Sequence, residues 1–184
     1  MQESTFFTNP FFWAFLSMLG MVFATSLFAR HRLRHSIVFV SFTLILVTVG
    51  RMVLVLPFCL QPRFVMALWN WIVGGAIMIL ALAVAAGPFF TVRWWSPPQA
   101  GMKLRTSGIY GLVRHPIYLS ELLWPLGLAI IFRSVYGVAL TPFWWLVFLI
   151  HALSEEADMN RVLGSEYQEY EKKVRGCIFP GLPF

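Results

Sequence analysis

A chain of 184 residues that is 59% hydrophobic and only 12% charged has too few polar groups for a soluble domain, where about 25% of residues carry charge. Apolar runs of bilayer length recur along it, which makes it an all-α integral membrane protein. The formal charge of +6 does not indicate nucleic acid, because the cations sit in the loops between apolar runs, where membrane anchoring places them.

Five transmembrane helices are expected. The first covers 11–29, about 28 Å at 1.5 Å per residue, close to a bilayer core. Before it, Glu3 stands where a secretory signal would be basic, and the apolar run is full length, so no cleavable leader is expected. The second helix covers 36–56 and stops at Pro57. The third covers 64–90, long enough to require tilt. The fourth, 117–132, and the fifth, 135–153, are joined so closely that they must form an antiparallel hairpin. The C-terminal Gly-Leu-Pro-Phe matches no lipidation or retention signal.

Cations alternate between loops. The first loop has Arg30, Arg32 and Arg34, the second only Arg63. The third has Arg93, Lys103, Arg105 and Arg114, the fourth only Arg133, and the tail Arg161, Lys172, Lys173 and Arg175. The N-terminus is therefore expected outside, with the first loop, the third loop and the C-terminal tail in the cytoplasm. A single membrane domain, 1–184, divides into a three-helix part, 1–90, and a part carrying the chemistry, 91–184. Cys59 and Cys177 fall on opposite faces in this topology, so neither a disulfide nor a metal site is expected. Small residues at four-residue spacing in the third helix, Ala81 with Ala85 and Ala83 with Gly87, allow close helix packing. Trp13, Trp69 and Trp71 fit an outer aromatic belt, and Trp94 and Trp95 an inner one. Trp124, Trp144 and Trp145 lie deeper, as helix packing or as the wall of a groove for a lipidic acceptor.

The polar residues gather on the cytoplasmic side. One concentration is the long loop 93–118, and long structured loops are often functional. The other is the tail, opening with Ser154-Glu155-Glu156. Met159, Leu163, Tyr167, Tyr170 and Val174 form one apolar helical stripe, interrupted by Gly164. The fifth helix is thus expected to continue to Gly164, break, and be followed by an amphipathic helix opened by a Ser165–Gln168 capping box. That helix either lies in the membrane interface or covers a cytoplasmic pocket.

Gly108-Ile-Tyr-Gly-Leu-Val-Arg-His-Pro-Ile-Tyr118 resembles the G-x-Y-x-x-[VI]-R-H-P-x-Y motif of the isoprenylcysteine carboxyl methyltransferase and phospholipid methyltransferase superfamily, in the manner of its short bacterial members. Ser96 and Gly101-Met-Lys-Leu104 resemble its upstream elements. Glu155-Glu156, Leu163-Gly164, Tyr167 and Tyr170 resemble its tail, and Phe179-Pro180 its aromatic-proline ending. The likeness covers roughly half the chain, and the first two helices carry none of it. Ser120 departs from the glycine of many members but stays small.

The resemblance implies an S-adenosylmethionine-dependent methyltransferase with a cytoplasmic active site, releasing S-adenosylhomocysteine. It implies a cofactor pocket built from Tyr110, Arg114, His115, Pro116, Tyr118, Glu155 and Glu156. Arg114 and His115 suit the cofactor's carboxylate, and Glu155 or Glu156 its ammonium or ribose diol. Pro116 suits the first turn of a helix. His151, one turn from Glu155 on the same face, could touch cofactor or pack a helix end. Alanine at Arg114 or Glu156 is expected to abolish cofactor binding and leave the chain folded.

Glu121 lies a turn into the fourth helix, where a carboxylate costs about 2.5–3.5 kcal/mol on insertion scales. It must face a partner or a cavity, and it joins Arg114 and Glu156 as a candidate catalytic group. Arg51, the other intramembrane charge, is expected to snorkel outward rather than pair with it, because the two depths differ. Methyl transfer from a sulfonium needs alignment and exclusion of water, not a metal. A carboxylate acceptor needs no base, whereas an amine acceptor would use Glu156 or His115. The partners are thus the bilayer and a lipophilic or small acceptor, with oligomeric state open and a bacterial inner membrane favoured over endoplasmic reticulum. Two other readings stand beside this one: an NADPH-dependent membrane reductase related to sterol reductases, and a non-enzymatic scaffold or transport subunit.

Overall fold

The computed structural model describes residues 6–29, 37–89 and 103–182. The loop cations Arg30, Arg32, Arg34 and Arg93, the belt residues Trp94 and Trp95, and Ser96 and Gly101 lie outside the described residues. Among those described there are seven α-helices and no strand: α1 (Pro10–Ala29), α2 (Ile37–Val55), α3 (Leu68–Phe89), α4 (Pro116–Ile131), α5 (Val135–Ala139), α6 (Thr141–Leu163) and α7 (Ser165–Lys173). The segments Leu68–Pro88 and Val135–Leu163 are long and apolar enough to cross a membrane, while the apolar stretches Pro10–Phe23, Ile45–Val55 and Pro116–Ile131 are shorter.

Two of the expected helices differ from the sequence reading. The third begins at Leu68, not 64, because the Asn70 side chain reaches back to accept from the Ala67 N–H at 2.8 Å and opens the helix there. The residues before it are tied instead to the end of α4 through Phe64 N–H to Arg133 O, 3.0 Å. The fifth is not continuous. Pro142 lies in the first turn of α6 and has no N–H to carry the helix across from α5. Ser134 caps α5 through the Gly137 N–H at 3.0 Å, and the Thr141 hydroxyl bonds Gly137 O at 3.1 Å across the break.

α1 and α2 pack as one pair and α3 and α4 as another, with α4 central: it also touches α2, α5 and α6. Glycines set both pairings. A Cβ on Gly50 would lie 2.7 Å from the Ser17 Cβ, and one on Gly74 2.6 Å from Ile131 Cγ1 and 2.8 Å from Gly127 O. The close approach of α3 and α4 is therefore at Gly74 and Gly127. Of the small residues read from the sequence, Ala81 is buried and accepts from the Ser120 hydroxyl at 3.1 Å, whereas Ala83 and Gly87 are exposed. Gly74→Ala is expected to cost about 1–3 kcal/mol by forcing these helices apart. Thermal unfolding in detergent checks this, and a melting temperature equal to the parent's would refute the interlock.

The main apolar core runs from Met21 and Val47 through Leu119, Leu122, Trp144 and Phe148 to Cys177 and Ile178, so the C-terminal segment is part of it. The tail stripe forms a second cluster. Tyr167, Tyr170 and Val174 are buried with Met159, Leu163 and Leu104 packed against them. The apolar face of α7 is thus covered by its own chain. The helix break falls at Gly164, whose φ of 57° favours glycine. The Ser165–Gln168 capping box does not form: Gly164 is itself the cap, its carbonyl accepts from Gln168 N–H at 3.2 Å, and Ser165 is already inside the helix.

Candidate active site

The sequence Gly108–Gly111 makes one 3-10 turn, entered through Gly108 at φ 64°. The chain then runs beside the C-terminal segment. Arg114 N–H bonds Gly176 O and His115 N–H bonds Cys177 O, both at 2.9 Å. Gly176 is required there, since a Cβ would lie 2.7 Å from Phe179 O and 2.9 Å from Leu112 O. Pro116 then starts α4, where its missing N–H costs nothing. This places the side chains of 114, 115 and 118 against α6, which supplies His151, Glu155 and Glu156.

The centre of the cluster is a buried ion pair. Arg114 Nε and Nη2 donate to the two carboxylate oxygens of Glu156 at 2.6 and 3.1 Å, and both side chains are less than a tenth exposed. Nη1 donates to Val174 O at 2.8 Å and Arg175 O at 3.1 Å. The guanidinium is thereby spent on the protein itself, and it pins the C-terminal segment to α6. The Arg114 side chain is 5% exposed, which leaves little of it open to a ligand. Cys177 completes this layer, with its thiol 3.6 Å from Glu156 Oε1.

The second layer is more open. His115 Nε2 lies 3.0 Å from Glu156 Oε1, and Nδ1 lies 3.4 Å from Glu155 Oε2. The Tyr118 hydroxyl donates to Glu155 Oε1 at 2.7 Å. The Tyr118 ring stacks on His115, centroids 5.6 Å apart, and on Phe148 at 5.3 Å. Glu155, 29% exposed, is the one carboxylate of the cluster that solvent or a ligand can reach. Burial works against protonation of His115, but hydrogen bonds and charge from Glu155 and Glu156 outweigh it and hold the imidazole pKa above its ordinary value.

The remaining candidates take lesser places. Tyr110 contributes its backbone oxygen, which accepts from the Tyr170 hydroxyl at 2.7 Å and ties α7 to the 3-10 turn. His151 is buried at 5% exposure, one turn from Glu155. Glu121 does not join the cluster. It pairs with Arg51, contrary to the expected outward snorkelling: Nη2 bonds the Glu121 carboxylate and Nη1 its backbone oxygen at 2.7 Å. Helical side chains lean toward the helix N-terminus, and Arg51 Nε reaches back to Val47 O at 3.4 Å. The guanidinium therefore sits about a turn from its Cα along α2, which closes the gap in depth. It is 2% exposed and lies 5.2 Å from the Trp124 ring centroid, 5.8 Å from Trp144 and 5.4 Å from Phe148.

Two groups of the site were missed in the sequence: Cys177 and the carbonyls of Val174 and Arg175. The carbonyls leave no sequence signal, while Cys177 was visible as the lone cysteine of the tail. His115, Glu156 and Cys177 present ligand atoms within 4.8 Å of one another. A metal there would have to displace Arg114 from Glu156 and take the proton of a thiol that burial, helped by the Glu156 charge, pushes up to about 12. The cluster suits a cationic organic ligand better. An open carboxylate flanked by a phenol and an imidazole fits an ammonium or a ribose diol, and the stacked rings of His115, Tyr118 and Phe148 fit a positively charged or planar group.

Residues 63–166 match the family model for phospholipid methyltransferase. A probable protein-S-isoprenylcysteine O-methyltransferase of Oryza sativa subsp. indica is 36% identical over 114 residues, which is 61% of this chain and 57% of the rice protein. Protein-S-isoprenylcysteine O-methyltransferase A of Arabidopsis thaliana is 32% identical over 61% of this chain and 56% of its own length. The Homo sapiens protein-S-isoprenylcysteine O-methyltransferase is 34% identical over 44% of this chain and 28% of its own length. The match thus spans little more than half the plant relatives. No solved structure matches the chain. With its family segment running from Arg63 in the α2–α3 connection through Glu155 and Glu156 to Glu166, the chain belongs to the phospholipid methyltransferase family, in the superfamily of the isoprenylcysteine methyltransferases.

Proposed function

We propose that the chain is a membrane methyltransferase that uses S-adenosylmethionine to methylate a lipophilic acceptor, with its site at the cytoplasmic face. The observation that carries this reading is the accessible Glu155 carboxylate, held between the Tyr118 hydroxyl and the His115 ring inside the family-matched segment. The bound cofactor would supply a methyl group already activated on a sulfonium. The chain's own residues have to bind, orient and keep out water. Glu155, with Tyr118 and His115, would hold the ammonium or ribose end. Tyr110 and His151 would border the pocket. Arg114 and Glu156 act one step back, fixing Pro116 and the C-terminal segment so that the second layer keeps its shape.

The membrane arrangement proposed is five spans: α1, α2, α3, α4, and α5 with the first part of α6 as one broken span. The apolar outer faces support it, with Phe11, Leu68, Ile79 and Leu82 all more than 60% exposed. The loop cations support an outside N-terminus and a cytoplasmic site.

The purified full chain in detergent is expected to bind S-adenosylmethionine saturably in calorimetry, and membranes containing it to transfer labelled methyl from that cofactor into the lipid fraction. A cooperatively melting protein with no saturable binding would sink the reading. A thermal shift with NADPH instead would transfer it to the reductase class.

A further inference from the structure

Between α3 and α4 lies a groove of about 340 Å³, lined by Met78, Ala81, Leu82, Ala85, Ile117, Ser120, Glu121 and Trp124. Its volume is at the lower end for ligand pockets, enough for a head group and the start of one chain. Its inner end is at Ile117, adjacent in sequence to Tyr118 of the cofactor-facing layer. Its walls are apolar except at Glu121 and Ser120. The Ser120 hydroxyl is turned to Ala81 O at 3.1 Å, which leaves Glu121 as the main polar group.

Glu121 belongs to two cavities. It lines the groove, and it also lines a second, much smaller pocket with Arg51 and Trp144. Arg51 lines only the second. The guanidinium bonds Oε2 and the backbone oxygen of Glu121. Oε1 has no hydrogen-bond partner among the described residues, and the Glu121 side chain is 29% exposed. The groove therefore meets the negative end of an ion pair whose positive end is walled behind aromatic rings. A head group that donates a hydrogen bond is attracted there. A free carboxylate meets like charge in a poorly screened setting, which is costly.

We infer that Glu121, positioned by Arg51, is the specificity determinant of an acceptor groove: it selects an apolar chain whose head donates a hydrogen bond, and it discriminates against one ending in a free carboxylate. This rests on the methyltransferase reading above. It also gives a role to Arg51, which lies outside the segment matched to the family.

The test uses two probes with the same chain, dodecylamine and dodecanoate, titrated into the full-length protein in zwitterionic detergent with S-adenosylmethionine present. The parent is expected to bind the amine at least about tenfold more tightly, the worth of one charge-assisted hydrogen bond. Glu121→Gln is expected to bring the two affinities to within about threefold while cofactor affinity stays unchanged. Equal affinities in the parent, or a preference that survives in Glu121→Gln, overturns the proposal. Should Glu121→Gln not fold, Ala85→Trp, which fills the groove and leaves the ion pair alone, is expected to abolish amine binding; retained binding overturns the proposal. Loss of cofactor binding in the parent, by contrast, strikes the methyltransferase reading.

Discussion

Arg114→Ala is expected to lower stability by about 3–5 kcal/mol, the cost of leaving one member of a buried ion pair alone. For a chain of this size that is a fall in melting temperature of roughly 6–20 °C. Three losses coincide. Glu156, 5% exposed, keeps a buried charge with only His115 and a weak thiol bond to satisfy it. The carbonyls of Val174 and Arg175 lose their donor. The C-terminal segment, whose Cys177 and Ile178 sit in the main core, loses its charge-assisted link to α6 through Arg114. Limited proteolysis should therefore cut the variant after α7, where the parent resists. Arg114→Met combined with Glu156→Leu removes both charges and is expected to recover most of the stability. This departs from the sequence-based expectation that an alanine at 114 leaves the chain folded. A single variant that melts with the parent and keeps its tail protected would contradict the pinning role.

What could be read from the sequence was what is periodic or local. The stripe Met159, Leu163, Tyr167, Tyr170 and Val174 has helical spacing, and all five residues meet in one cluster. The Gly164 break was legible because glycine adopts positive φ at little cost. Residues of the two elements that resemble the family's, Arg114, His115 and Tyr118 in one and Glu155 and Glu156 in the other, could be named together, and the fold brings them together. What could not be read depends on where a side chain leans or how closely two backbones approach. Arg51 and Glu121 looked mismatched because depth was counted at the Cα, and an arginine spans most of a helical turn. Gly74 and Gly127 carry no periodic signal; each matters only because the other faces it. The roles of Arg114 and Glu155 also separate only in three dimensions, since in sequence both are simply charged members of elements that resemble the family's.

Glu155→Gln is expected to divide binding from folding in the opposite sense to Arg114→Ala. The Glu155 side chain is 29% exposed, so its contacts with the protein are screened, and the stability change should stay within about 1 kcal/mol. The glutamine carbonyl can still accept from the Tyr118 hydroxyl, now at 2.7 Å from Oε1, so the pocket keeps its shape. What is lost is the negative charge. A hydrogen bond to a charged group is worth about 1.5–3 kcal/mol, so S-adenosylmethionine affinity should fall roughly 10- to 150-fold. Tyr118→Phe, which removes only the group that orients Glu155, should cost less. Calorimetry and thermal unfolding on the same samples give both quantities. The two variants then make a crossed pattern: one loses stability through the buried layer, the other loses affinity through the open layer. Should Glu155→Gln bind the cofactor as tightly as the parent, the open carboxylate is not what grips it, and the assignment of the second layer fails even if the chain still transfers methyl groups.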